Sequence, residues 1–324
     1  MRFDLTNAQA AWQLNGATIG TELPVDATAR DAVQAAARHG LLEPEADLLS
    51  LTAAIEAVGH ASPSAAVSIA MHLTVITALR GDARFADALL RGDVIGAIAL
   101  SADDVPVEKD GHLSGRASWV APIESPGIAL LGARTGDDVA AYAVALDADG
   151  VLVEPEKSAG LHGLVCGHVV LRDAQAMPAG ETMPSMARVR LLMAAVGLGI
   201  GRRALFEALT AARQSGGADA GEQTVQGLLA DAATELEAAR LLTGEAARRD
   251  GQLTLGEASI AKLASTGAAE RAVERATQVI GVTTLRRGHI VERLAQDVRA
   301  LELFAGRTEA LRAAVAAEIL PQVG

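Results

Sequence analysis

The pattern of apolar and polar positions changes character twice along the chain. Up to residue 93 the spacing is helical. In DATARDAVQAAARHGLL (residues 26–42) apolar side chains recur every three to four positions, and His39-Gly40 reads as a helix stop. EADLLSLTAAIEAVGH (45–60) repeats the pattern. SPSAAVSIAMHLTVITALRG (62–81) opens with Ser-Pro, a helix start, and is so uniformly apolar that its helix is expected to be buried on all sides. Near residue 94 the runs become short and often β-branched, separated by Gly, Asp and Pro: DVIGAIALS, HLSGRASWVA, GIALLGA, DVAAYAVAL, GVLVEP and HVVLRD. Such runs, packed into about eighty residues, predict a small antiparallel barrel or sandwich. From about residue 185 the helical period returns and persists in long amphipathic segments joined by short loops, which predicts an antiparallel bundle of four or five helices. The expected fold class is therefore mainly α with a central small β domain: an N-terminal helical domain over 1–93, a β domain over 94–178 and a C-terminal helical bundle over 185–324.

Composition agrees with this and narrows the function. Half of the 324 residues are hydrophobic but only 2% are aromatic. A core of small side chains lets helices approach closely. The formal charge of −12 argues against nucleic acid, whose affinity comes largely from Lys and Arg neutralising phosphates. A single cysteine, Cys166, rules out a disulfide framework and a cysteine-ligated zinc site, and it reads as a small buried apolar residue. The seven histidines show no pair at metal-ligand spacing. His72, within SIAMHLTVI, is expected to be a satisfied core histidine. The N-terminus lacks a signal-peptide pattern, and the most apolar stretch (about 191–201) is too short to span a bilayer, so the expectation is a soluble cytoplasmic chain with no membrane association. GLGIG (197–201) has the glycines of a dinucleotide loop but no preceding strand, and close helix packing explains it better.

Several words in order resemble one family. MRFDLTNAQ, GLL (40–42), IGAIALS, GHLSGRASWVA, HVVLRDAQAMPAG, ASIAKLAS, QVIG and ERLAQDVR together resemble, over nearly the whole chain, the acyl-CoA dehydrogenase family. The resemblance implies FAD held between the β domain of one subunit and the helical bundle of its neighbour. A glutamate removes the α-proton of an acyl thioester while a hydride passes to the flavin. That carboxylate must lie within hydrogen-bond reach of the proton, in a dry pocket.

The departures from the family pattern fall on that chemistry. Its usual base stands before the glycine of a Y-E-G-T turn; here the turn is Phe304-Ala305-Gly306-Arg307, and Ala305 occupies the base position. A second base position used by some members aligns with Val189, before Arg190. Glu302 and Glu309 flank Ala305 and are the fallback candidates. On the flavin side, Ser101 survives from the T-E-P-x-x-G-S-D element and Trp119 matches the family tryptophan, which as a bare side chain could equally be β-domain core. Ala121 replaces the adjoining hydroxyl residue. The R-x-x-F-G motif has no counterpart, with Arg213 its displaced relic. Gln278 and Gly281 match residues that meet the adenine-dinucleotide end of a neighbour's FAD, although Val282 replaces the second glycine. Arg190 is a candidate for a CoA phosphate, since Arg suits bidentate phosphate recognition. Arg188 lies beside it, whereas Arg202 and Arg203 read as a solvated helix face. Asp297 and Arg299 read as structural pairs at a subunit contact.

These losses remove the base and one face of the ring site and leave the bundle and the Gln278 element. The resemblance therefore points to a half-site subunit of a heteromeric FAD-dependent acyl-CoA dehydrogenase, inactive by itself and completed by a longer family subunit. It is similar to the short partner chains of the α2β2 enzymes of actinobacterial steroid side-chain breakdown. The complex would pass electrons to an electron-transfer flavoprotein. Two alternatives stay open: a self-sufficient homo-oligomeric dehydrogenase or oxidase with a relocated glutamate, and a non-redox scaffold binding acyl-CoA or protein.

Overall fold

The computed structural model describes residues 5–24, 26–43, 46–82, 84–100, 104–214 and 221–320. Its elements are α1 (Asn7–Glu22), α2 (Ala29–Arg38), α3 (Leu48–Ala61), α4 (Pro63–Ala78), α5 (Ala86–Arg91), β1 (Ile95–Ala99), β2 (Val107–Lys109), β3 (His112–Val120), β4 (Gly127–Thr135), β5 (Asp138–Ala145), β6 (Val151–Glu156), β7 (Cys166–Gln175), β8 (Met177–Pro178), α6 (Thr182–Gln214), α7 (Gln223–Ala247), α8 (Leu255–Ile280), a 3₁₀ turn (Gly281–Leu285), α9 (Ile290–Leu303) and α10 (Thr308–Ile319).

Local chemistry sets the helix ends. Thr28 and Asp31 form a reciprocal capping box at the start of α2, and Gly40 beyond its end is left-handed at φ 71°. Ser62 caps α4, whose first residue is Pro63, where the missing N–H costs nothing. Thr254 and Glu257 box the start of α8. α4 has no polar face, and from Pro63 to Ile76 every residue is buried, as its uniform hydropathy predicts.

The β domain differs from the expectation in two respects. It contains two further strands, β2 and β8, of three and two residues, too short to show alternation. It is also mixed rather than antiparallel. In the eight-stranded sheet, ordered β6-β7-β3-β2-β4-β5-β8, β1 pairs with β4 in parallel, Ile95 opposite Gly127, and β2 touches β4 in parallel at Val107–Arg134. The sheet encloses its own small core of Leu113, Val120, Leu131, Val144 and Val169. A second core runs continuously through α1–α4, the inner faces of β1 and β4, and α6–α9.

His72 joins two of these layers. It is fully buried, its Nε2 lies 3.0 Å from the Leu89 carbonyl, and its Nδ1 accepts the Gly96 amide at 2.9 Å. That tautomer needs a neutral ring, and burial lowers its pKa to about 4. The core-histidine reading is therefore correct, and the residue stitches α4 to α5 and β1. Gly197, Gly199 and Gly201 lie inside α6; a methyl at Gly199 would come within 2.6 Å of the Glu56 carbonyl oxygen on α3. Their role is close helix packing. Cys166 is buried at the start of β7.

Candidate active site: a braced turn at residue 305

The turn between α9 and α10 is held from beneath by two cations. Ala305 and Gly306 are both left-handed, at φ 56° and 111°. A run of carbonyls there lacks helical partners, as at any helix C-terminus. Lys262, from the middle of α8, is fully buried and donates to the carbonyls of Glu302 (3.3 Å), Phe304 and Gly306 (2.7 Å). Arg190, from α6 and 6% exposed, donates from Nε to the Ala305 carbonyl at 3.0 Å and from Nη1 to Ser259 Oγ at 2.8 Å. A methyl at Gly306 would lie 3.0 Å from Arg190 Nη2, so the glycine also gives the guanidinium room.

Both cations are electrostatically costly. Burial, reinforced by Arg190 and opposed by Glu302, pushes Lys262 down to about 7. Burial alone lowers Arg190. The three carbonyls favour the ammonium form of Lys262 and offset part of that cost. Both cations thus hold the turn from inside the bundle, and the side chain at residue 305 is a methyl group, which moves no proton.

The fallback acids lie to either side. The Glu302 carboxylate accepts from Thr308 Oγ1 at 2.9 Å and pairs with Arg299 at 2.6 Å. The Glu309 side chain is 77% exposed, with Arg307 4.0 Å away. Neither occupies a dry pocket. Val189 is buried and apolar. Two cavities among the described residues lie elsewhere: one between α1, α3, α6 and α7, the other at the end of α4 beside Pro178.

On the flavin side, Trp119 is not core: it is 57% exposed, left-handed at φ 56°, and lies where the β3–β7 register shifts. Its ring meets His168 edge-on at 5.8 Å. His168 Nδ1 is buried without a partner, and Ala121 beside Trp119 is buried and carries no hydroxyl. Gln278 is exposed on the last turn of α8, and Gly281 beyond it is left-handed with open space around it. Ser101 lies outside the described residues. These side chains fit a share of a cofactor cradle: an exposed aromatic face, and a separate amide and glycine at the end of the bundle.

Two expectations change. Asp297 does not reach outward; it is buried, and its Oδ1 accepts the Leu161 amide at 2.6 Å, tying the β6–β7 loop to α9. Burial raises its pKa, with the Leu161 amide opposing. Arg190 spends Nε and Nη1 inside the chain. The sequence reading missed Lys262. Its signal was a lysine, one of three in the chain, inside an apolar helical stretch. Among the described residues no cluster of metal-ligating side chains occurs, and no helix is long and apolar enough to cross a membrane.

Residues 181–320 match the family described as acyl-CoA dehydrogenase, C-terminal domain. Benzylmalonyl-CoA dehydrogenase of Aromatoleum aromaticum is 28% identical over 378 residues, covering 98% of this chain and 100% of that protein. The mitochondrial short-chain specific acyl-CoA dehydrogenase of Bos taurus is 30% identical over 263 residues, 71% of this chain and 64% of that protein. The solved structure of butyryl-CoA dehydrogenase from Megasphaera elsdenii has a TM-score of 0.86 to this chain at 18% identity, covering 98% of this chain and 100% of that one. That likeness shows the fold.

Proposed function

For a chain whose matches support membership of the acyl-CoA dehydrogenase family, we propose the role of a half-site subunit in a heteromeric, FAD-dependent acyl-CoA dehydrogenase. Dehydrogenation of an acyl-CoA thioester is the activity the relatives support. The observation that carries the finer reading is the Ala305 turn. Lys262 and Arg190 still brace it as a platform for one side chain, while that side chain has no acid–base capacity. FAD, when bound, accepts the hydride that leaves the β-carbon. The contribution of this chain is to hold and orient. Trp119 offers an aromatic face to the ring, Gln278 and Gly281 meet the dinucleotide end, and the bundle buries the shared interface. Proton removal falls to a carboxylate of a longer family subunit, and electrons leave to an electron-transfer flavoprotein. The acyl group is bulky; a steroid-derived chain is the reading that the sequence resemblance favours, and benzylmalonyl-CoA dehydrogenase, among the relatives, carries a bulky acyl group in its name.

The test is expression alone and together with a longer homologous subunit. Flavin absorbance near stoichiometry and acyl-CoA dehydrogenation are expected only on co-expression. A lone chain that binds full FAD and turns over would overturn the proposal. In that event Glu302→Gln and Glu309→Gln would identify the relocated base, since one of them would abolish turnover. Acyl-CoA binding without flavin in every assembly would indicate the scaffold role.

A further inference from the structure

The two cations beneath the turn at residue 305 bond only to neutral groups. Lys262 serves the carbonyls of Glu302, Phe304 and Gly306, and Arg190 serves the Ala305 carbonyl and the Ser259 hydroxyl. Their acceptors interleave along one turn, so the two charges lie side by side. Among the described residues no carboxylate forms an ion pair with either. The acids at the two helix ends have cations of their own. Glu302 pairs with Arg299 at 2.6 Å, and Glu309 has Arg307 at 4.0 Å. Glu302 attracts Lys262 without pairing with it. Largely buried charge with neutral partners alone is costly, and an anion brought beside it recovers part of that cost. The turn leaves a place for one. A methyl at Gly306 would have Arg190 Nη2, Nε and Cζ as its nearest neighbours, at 3.0, 3.5 and 3.6 Å. Nε and Nη1 are spent, whereas Nη2 has no acceptor among the described residues. An oxygen standing there would lie at hydrogen-bond distance from Nη2. Ala305 and Gly306 are half-buried rather than sealed. Just beyond them α10 begins with no side-chain cap on its first amides, and a helix N-terminus favours negative charge.

We infer that the Ala305–Gly306 turn is a binding site for a carboxylate, with Arg190 Nη2 as its donor and Lys262 as the second charge beneath. One free guanidinium edge beside a space of a methyl's width suits a flat carboxylate better than a tetrahedral phosphate. Ala305 adds only a methyl beside it. The same chemistry is presented by a free carboxylate and by the acid end of an acid-terminated acyl thioester. The acyl source rests on the acyl-thioester reading above; the carboxylate site does not.

Thermal melts of the full chain in acetate, phosphate or chloride at equal ionic strength test the site. Saturating acetate is expected to raise the wild-type midpoint over chloride by about 2 °C, as a ligand of the native state does, and phosphate is not. Ala305→Glu brings its own carboxylate to the turn. It should melt above wild type in chloride and gain nothing from acetate. Arg190→Gln removes Nη2 and should lose the response to acetate; Ala305→Glu decides the matter if Arg190→Gln does not fold. Isothermal titration with adipoyl-CoA and hexanoyl-CoA, equal in acyl length, distinguishes the sources. Wild type is expected to bind adipoyl-CoA about tenfold more tightly, as for one charge-assisted hydrogen bond, and Ala305→Glu is expected to lose that preference. An acetate response with equal affinity for the two thioesters would keep the site and remove the acyl source. No acetate-specific rise in wild type, an equal rise in Ala305→Glu, or a phosphate response matching acetate would overturn the carboxylate site.

Discussion

Lys262 is a lone ammonium sealed inside α8, and its worth lies in the three carbonyls it serves. Lys262→Met keeps the volume and removes the donor. It strands the Glu302, Phe304 and Gly306 carbonyls, each costing about 1–3 kcal/mol when buried and unmet, while relieving the burial of a charge. The expected net loss is about 3 kcal/mol, read as a lower urea midpoint; a midpoint equal to wild type would show that the turn does not depend on this brace. Residue 305 poses the complementary question. Ala305→Glu places a carboxylate on the turn that Lys262 and Arg190 brace. On the half-site proposal the lone chain should still show no dehydrogenation, because Ala121 carries no hydroxyl and the proposed partner's share of the cradle would be missing. Turnover by lone Ala305→Glu, followed with an artificial electron acceptor, would mean that only the base was lost. The identity of residue 305 was legible in the sequence, because Gly306 and the flanking helical periods locate the turn. The brace was not, because its donors and acceptors lie 40 to 44 residues apart for Lys262 and 115 for Arg190.

α3 and α6 cross at glycines because nothing larger fits. At Gly199 a methyl would meet the Glu56 oxygen and the Gly59 carbonyl carbon at 2.6 Å, backbone atoms that cannot swing aside. Gly199→Ala should therefore cost about 3 kcal/mol. Gly227→Ala on α7, with nothing within 4 Å, should instead stabilise by about 0.5–1 kcal/mol through helix propensity. Equal effects in thermal melts would refute the packing argument. The seam of α4, α5 and β1 is sensitive to pH. The His72 pKa of about 4 in the fold lies below its ordinary 6.5, so the unfolded chain binds the extra proton first. Its contribution is full above pH 6.5 and is lost as pH falls towards 4. The loss amounts to about 3 kcal/mol over that window. His72→Gln should flatten this part of a stability–pH curve; an unchanged slope would locate the acid sensitivity elsewhere. Helices were the legible elements, since their caps and long periods are local. β2 and β8 were not, at three and two residues, nor was the β1–β4 parallel pairing, which depends on partners some thirty residues apart.

At the scale of the whole molecule, a buried polar contact, the Leu161 amide to Asp297, joins the β domain to the bundle. The outer face of the bundle is different. Val282 and Leu285 on the 3₁₀ turn are 80% and 75% exposed, close in sequence to Gln278 and Gly281. Exposed apolar residues beside candidate cofactor contacts are what a shared interface would leave open in a lone chain. Val282→Asp with Leu285→Asp should then leave the monomer folded but abolish its co-purification with a longer subunit, together with flavin retention. Intact co-purification in the double variant would place the interface elsewhere.

The sequence by itself determined the order of helical, β and helical segments, the Ser-Pro start of α4, the stop at His39-Gly40, and the methyl side chain before Gly306. These depend on periodicity and on residue identity, which are local. Only the tertiary structure decided that the turn at residue 305 is braced by Lys262 and Arg190, that Trp119 faces outward and that Asp297 binds inward. Each of these turns on which distant groups share a buried space, and burial sets whether a donor or a charge is satisfied.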